Sequence, residues 1–298
     1  MMFAPTKSTF WYLDQLPVYQ TTKPYIVNLP LSRVPAGKRT NQICAAYTDI
    51  VVRDIRAAET EYTLDRNGFE LSRSIPMSLD YEDFRYPSKV RDIYCENVKH
   101  ALVKMRGAEL GDILHLAIRR RHVSFPQQPR GNEEAETAQP VQGVHYYTPT
   151  RAYQSLQKAF GDDQAAAFWK ERRVEIIQVW RPIAGPVLDW PLGVCDRNSV
   201  DEAIDLVSTD NVWTHMVAET YNLFHNPKHL WYFVSKQIES DALLFKGFDN
   251  MDGKASFCPH AAFELDNMGA NGKMRESVEC AILLVHPLPR SEGDLDLA

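Results

Sequence analysis

Apolar and polar residues alternate over short stretches of this chain, and prolines and glycines interrupt the pattern at close intervals. Tyr47-Thr48-Asp49-Ile50-Val51-Val52 has the spacing of a half-buried strand. Tyr62 to Asp65, then Asn67-Gly68, then Phe69-Glu70-Leu71 reads as a hairpin closed by the favoured Asn-Gly turn. From Pro87 to Met105 the apolar residues Val90, Ile93, Tyr94, Ala101, Leu102 and Met105 recur at three- and four-residue steps. That period predicts an amphipathic helix stopped by Gly107. Asp112–Ile118 is a short strand, and Thr150–Arg173 has helical spacing interrupted at Gly161-Asp162-Asp163. Further strands are expected at Val174–Trp180, Leu230–Ser235, Ala242–Phe248 and Val278–Val285, with helical turns around Ser199–Val207.

Two segments depart from either period. The first forty residues carry Pro5, Pro17, Pro24, Pro30 and Pro35 around Phe10-Trp11-Tyr12-Leu13, which suits an extended arm over a core. Pro126 to Pro140 is polar and aperiodic, a loop placed where a lid could sit, just before Gly143-Val144-His145-Tyr146-Tyr147-Thr148. With no repeat and no clear linker, residues 1–298 read as a single domain with an arm over about 1–40. Many short strands with a few helices fit an α+β protein with a double-sheet jelly-roll core. Periodicity by itself does not choose this over another mixed fold.

Composition narrows the function classes. Acidic residues (39) outnumber lysine and arginine (33), so no polyanion-binding surface is advertised and no nucleic-acid partner is expected. The one basic run, Arg119-Arg120-Arg121, is expected to end a strand at the solvent edge. Five cysteines in no CxxC spacing argue for reduced thiols rather than a disulfide framework or zinc site. No apolar run approaches a membrane span and no secretory leader is apparent, so a cytoplasmic location is expected.

The candidate chemistry lies in two distant histidines and a terminal Arg-x-Ser pair. His145 sits in the alternating run after the polar loop, His260 in Cys258-Pro259-His260-Ala261-Ala262-Phe263, and Arg275 and Ser277 open the last apolar strand. A non-haem Fe(II) oxygenase holds its metal with two imidazoles and one carboxylate, leaving a face open for cosubstrates. The first histidine and the carboxylate sit at i and i+2, on one side of a strand. An arginine and a hydroxyl then grip the far carboxylate of 2-oxoglutarate. Four of these five parts are present in order. Where the carboxylate belongs stands Tyr147.

Landmarks along the chain resemble those of the fungal asaB-type hydroxylase/desaturase family, related to CmcJ-like and gibberellin-desaturase-like proteins. They are Asn41, Thr63 to Phe69, Val179-Trp180-Arg181-Pro182-Ile183, Pro191 to Asp196, His229 to Phe233, Leu244 to Asp249, Pro259 to Phe263, and Arg275 to Glu279. The resemblance covers about residues 40 to 285 and implies the jelly-roll fold of Fe(II)/2-oxoglutarate oxygenases. Two departures stand out. Family members carry Val-His-x-Asp-Gln-Ser at the first histidine, against Val144-His145-Tyr146-Tyr147-Thr148-Pro149 here. They also carry an arginine after the last-strand glutamate, where this chain has Cys280-Ala281.

A phenol with a pKa of about 10 gives little anion at neutral pH. Loss of the aspartate therefore leads to the expectation of no metal and no cofactor. The asaB-like group also includes members that direct cycloadditions. The function expected is accordingly a cofactor-independent pericyclase, a hetero-Diels–Alderase joining a quinone methide to a terpene alkene. His145, Tyr147 and His260 would be its catalytic donors. Arg275, Ser277, Trp180, Trp231, Tyr232, Phe263, Lys246 and Arg181 would contact apolar small-molecule substrates. The alternative keeps Fe(II) and 2-oxoglutarate, with His145 and His260 as metal ligands, and hydroxylates or desaturates a secondary metabolite. A non-catalytic metabolite-binding protein is a further alternative. A homodimer is compatible with either enzyme.

Overall fold

The computed structural model describes residues 5–29, 34, 38–57, 61–126, 138–214, 216–265 and 274–288. In chain order its strands are β1 (Thr6–Leu13), β2 (Tyr25–Val27), β3 (Cys44–Asp54), β4 (Phe69–Ser72), β5 (Leu110–Arg120), β6 (His145–Tyr147) and β7 (Val174–Pro182). They continue as β8 (Leu192–Cys195), β9 (Leu206–Val212), β10 (Val217–Leu223), β11 (Trp231–Phe233), β12 (Ala242–Asp249), β13 (His260–Ala262) and β14 (Glu276–Val285). Nine of them form one curled sheet in the order β1-β3-β11-β8-β13-β6-β10-β9-β2, and five form a second, β4-β12-β7-β14-β5. This is the α+β jelly-roll architecture expected.

β7 and β14 are the centre of the five-stranded sheet because both of their faces are covered. Val278, Cys280, Ile282 and Leu284 pack with Ile177 and Val179 against Tyr94, Val98 and Leu102 of the helical layer. That layer runs through Pro87–Lys89, a wider π-helical segment Val90–Cys95, and Glu96–Arg106. Gly107 stops it in the left-handed conformation, at φ 64°. Alternation then turns the intervening residues of β14 the other way, toward the nine-stranded sheet. Those residues are Ser277, Glu279 and Ala281.

The predicted hairpin is corrected. Leu64–Asn67 is one helical turn, capped by Thr63 Oγ1, which accepts from Arg66 N–H at 3.3 Å. Gly68 ends that turn at φ 87°, and a Cβ there would lie 2.6 Å from Phe257 O. β4 pairs with β12 instead. Asn67 serves a long-range role that a hairpin turn would not need: its side-chain amide donates to Asp196 Oδ2 at 2.9 Å.

The amino-terminal segment enters the sheet. β1 pairs along its length with β3, and β2 runs parallel to β9. The β9–β10 hairpin has no counterpart in the sequence reading, whereas the helix expected over 150–173 is present as Pro149–Phe160 and Asp162–Glu171. The loop expected at 126–140 lies, for residues 127–137, outside the described residues. All five cysteines are free thiols. No helix among the described residues is long and apolar enough to cross a membrane.

Candidate active site

β6 lies between β13 and β10, and this placement brings the two histidines together. His260 is the register partner of His145, and the ring centroids are 4.6 Å apart. Each Nδ1 faces a backbone carbonyl, His145 to Gly143 O at 2.8 Å and His260 to Cys258 O at 3.0 Å. A carbonyl only accepts, so Nδ1 carries the proton in both rings and the lone pairs reside on the two Nε2 atoms. Burial, reinforced by neighbouring His145, pushes His260 down to about 3, which keeps it neutral. Two neutral imidazoles in the ligating tautomer are what a metal centre requires.

Tyr147, two residues on, points to the same side of β6. Its ring packs over Gly247, where an added Cβ would lie 3.4 Å from Tyr147 Cδ2. Burial first, and the nearby Glu279 carboxylate second, push its phenol up to about 12. Tyr147 is thus a neutral donor that offers no anionic charge to a metal.

His145 and Tyr147 border a cavity of about 440 Å³ between the sheets, whose lining includes His115, Arg119, Gln178 and Glu279. Glu279 is held below the usual carboxylate range. Burial opposes this, but Arg119 and the imidazoles of His260, His115 and His145 outweigh it. The pattern of β14 could have revealed Glu279, since Arg275, Ser277 and Glu279 share one face. Gln178, His115 and Arg119 needed the strand pairing.

Arg275 is buried beside this region. Its Nη1 donates to Trp190 O at 2.9 Å, its Nε to Ser277 Oγ at 3.3 Å, and its guanidinium lies 4.9 Å from the Trp180 ring. Burial, then the Arg119 charge, pulls it down to about 9. The basic run is corrected from a solvent edge. Arg121 is buried in an ion pair with Asp189 at 2.7 Å, Arg120 donates to Glu276 at 2.8 Å, and Arg119 faces the cavity.

The remaining residues singled out in the sequence lie elsewhere. Trp231 donates to Tyr12 Oη at 2.8 Å, Phe263 stacks on Phe10, and Tyr232 packs on Tyr62 and Phe69. Arg181 sits on the helix-covered face of β7, over Tyr94, donating to the carbonyls of Ile75 and Glu239.

Lys246 belongs to a second constellation that the sequence reading missed. Asp65, Glu175 and Asp249 bring carboxylate oxygens within 4.8 Å of one another, a spacing that could hold a hard cation. Lys246 Nζ already sits among them, 2.5 Å from Glu175 and in contact with Asp249, and Arg106 and Arg173 bridge the same carboxylates. Lys254 adds a fourth cation on Asp65 at 3.3 Å, so the three anions are fully matched by positive charge. A metal could enter only by displacing Lys246.

Comparison with known proteins agrees with this geometry. The model of a family described as Oxidoreductase/YMDC permease-like domain matches residues 11–285. Hydroxylase/desaturase efuI of Hormonema carpetanum is 30% identical over 79% of this chain and 82% of its own length. Alpha-ketoglutarate-dependent dioxygenase tstK of Talaromyces stipitatus is 25% identical over 80% and 84%. The structure of the iron and alpha-ketoglutarate-dependent endoperoxidase NvfI superposes with a TM-score of 0.80 at 21% identity, covering 95% of this chain and 98% of that one, a likeness of fold. The cofactor-independent pericyclase is therefore corrected, together with the absence of metal and cofactor inferred from Tyr147. The relatives are named as a hydroxylase/desaturase and an alpha-ketoglutarate-dependent dioxygenase, and Asp65, Glu175 and Asp249 stand at metal-ligand spacing. The loss of one carboxylate leaves in place a pair of neutral imidazoles, each with its Nδ1 proton tied to a carbonyl.

Proposed function

Because the chain belongs to the family described as Oxidoreductase/YMDC permease-like domain, among the fungal hydroxylase/desaturase oxygenases, we propose that it is an Fe(II)/2-oxoglutarate-dependent oxidoreductase. Its substrate would be a small organic secondary metabolite. Within the family, the ordered landmarks from Asn41 to Glu279 support an asaB-type hydroxylase/desaturase. The single observation that carries the reading is the register pairing of His145 with His260, each with its Nδ1 proton tied to a carbonyl.

The donor set fits iron through two protein ligands rather than three. His145 and His260 would hold the metal by Nε2, and the phenol of Tyr147 supplies no charge. The compensating anion would come from the cosubstrate, whose 2-oxo acid group carries its own carboxylate. When bound, iron with 2-oxoglutarate and O2 supplies a two-electron oxidation, with succinate and CO2 as coproducts. The chain's own residues bind and position. Arg275, stacked on Trp180 and bonded to Ser277, is a pre-oriented fork for the far carboxylate of the cosubstrate. Tyr147 closes the cavity wall against Gly247 and presents a hydroxyl to whatever occupies it.

Anaerobic titration of metal-depleted protein with Co(II), with and without 2-oxoglutarate, tests the reading. The expected outcome is a visible absorption band that grows to one equivalent when the 2-oxo acid is present. No band in wild type, or an undiminished one in His145→Ala, would overturn it.

A further inference from the structure

The cavity between the sheets contains a polar recess that neither the metal ligands nor Arg275 uses. It is organised around the buried Ala281 on β14. The register partners of Ala281 are His115 on β5 and Gln178 on β7, so these two side chains flank a methyl group from either side. Two strand spacings separate them, on the order of 10 Å. Glu279, two residues back on the same face, completes the recess.

The chemistry of the three side chains is distinct. Gln178 is 2% exposed, and its Nε2 has no hydrogen-bond partner. A buried amide donor without an acceptor is destabilising, and native interiors contain few. Glu279 is an ionised acceptor at neutral pH, for the reasons given above. His115 opens onto the cavity, and the protein around it lowers its pKa, so it stays neutral and can donate or accept.

We propose that Gln178, Glu279 and His115 form the substrate-recognition subsite. It takes an oxygenated ring bearing one hydroxyl donor and one carbonyl acceptor, a hydroxyketone or acylphenol. Gln178 Nε2–H donates to the carbonyl oxygen. The hydroxyl donates to Glu279, and His115 bounds the far side of the ring. The negative charge of Glu279 excludes carboxylates from this end and leaves them to Arg275 and Arg119. The cosubstrate and the substrate are thereby sorted by charge along β14. The assignment of the ring as the oxidised substrate rests on the oxygenase reading; the recess itself does not.

Binding to the metal-depleted protein separates the two. Ligand-observed NMR titrations would use three probes of similar size: 3-hydroxyacetophenone, 3-methylacetophenone and 3-hydroxybenzoate. The first is expected to bind at least about tenfold tighter than either of the others, because each lacks a donor or carries a repelled charge. Gln178→Leu should weaken both acetophenones by about tenfold, because it removes the donor to their carbonyl, while leaving the melting temperature equal or higher, since it removes an unsatisfied donor. Glu279→Gln should bring 3-hydroxybenzoate up to the affinity of 3-hydroxyacetophenone, and Ala281→Leu should weaken all three by crowding the neighbouring His115 and Gln178. Equal binding of the three probes to wild type would overturn the proposal. So would a Gln178→Leu protein that folds and binds both acetophenones as tightly as wild type. Failure of Co(II) binding with the probe preference intact would remove the oxygenase reading and leave the recess standing.

Discussion

His145 and His260 are register partners on adjacent antiparallel strands, separated by 115 residues of sequence and by 4.6 Å between ring centres. Their mutual position is fixed by backbone pairing, and their ring orientation by the two carbonyls of Gly143 and Cys258. The geometry of the pair is thus built into the sheet.

Tyr147→Asp restores a carboxylate at the strand position two after His145. Fe(II) affinity without 2-oxoglutarate is expected to rise at least about tenfold, or ~1.4 kcal/mol. In wild type, 2-oxoglutarate should tighten the metal by a larger factor than in the variant. Equilibrium dialysis against Fe(II) under argon measures both, and an unchanged affinity in Tyr147→Asp would show that the residue does not face the metal.

Arg275→Lys keeps the charge and loses the fork and the stacking on Trp180. The KM for 2-oxoglutarate should rise by about tenfold or more, with kcat for succinate release changing less. Steady-state kinetics at varied cosubstrate checks this. A raised KM for the organic substrate instead would move Arg275 to the other end of the cavity.

Lys246→Met removes the fully buried cation that contacts Asp65, Glu175 and Asp249, leaving only the partly exposed Arg106, Arg173 and Lys254 beside them. Breaking a buried ion pair from one side costs about 3–5 kcal/mol, so a large drop in the denaturation midpoint is expected. Millimolar Mg²⁺ should recover part of that loss in the variant and leave wild type unchanged. Urea unfolding with and without Mg²⁺ decides it.

Acid should destabilise the protein in two stages. His229 is pulled below its ordinary value by burial, although Asp205, accepting from its Nε2 at 3.0 Å, opposes that shift. The unfolded chain therefore takes up the proton first. The contribution of His229 is complete above about pH 6.5 and is lost as the pH falls below it. Glu175 and Asp65 are also held low. Burial alone would raise both, but His286, Lys246 and Arg106 outweigh it at Glu175, and Arg106, Lys246 and Arg173 do so at Asp65. Their contribution is present above about pH 4 and disappears below it. Melting temperatures from pH 7 to 3 should show both limbs, and His229→Asn should lessen the upper one without touching the lower, the buried neutral His260 and His115 supplying the remainder.

Local pattern reached a good part of this molecule. The alternation of β3, β7, β12 and β14, and the helical spacing of Pro87–Arg106 and Pro149–Glu171, appear in sequence because each element buries one face, or both, against a fixed neighbour. Asn67-Gly68 misled, since a left-handed glycine closes a helical turn as readily as a hairpin; the interaction that decides between them is Asn67 with Asp196, 129 residues away.

The sequence by itself determined which side chains could do chemistry: two histidines, an Arg-x-Ser pair, and a tyrosine where a carboxylate belongs. Tertiary structure decided what they became. Strand pairing set His145 against His260 and put Gln178 and His115 on either side of Ala281. Lys246, Arg106, Arg173 and Lys254 were gathered around the Asp65, Glu175 and Asp249 carboxylates, and Trp231 and Phe263 were turned into aromatic packing. Those outcomes depend on register between strands far apart in the chain, and a one-residue slip would reverse the face of every side chain involved. No local pattern carries that information.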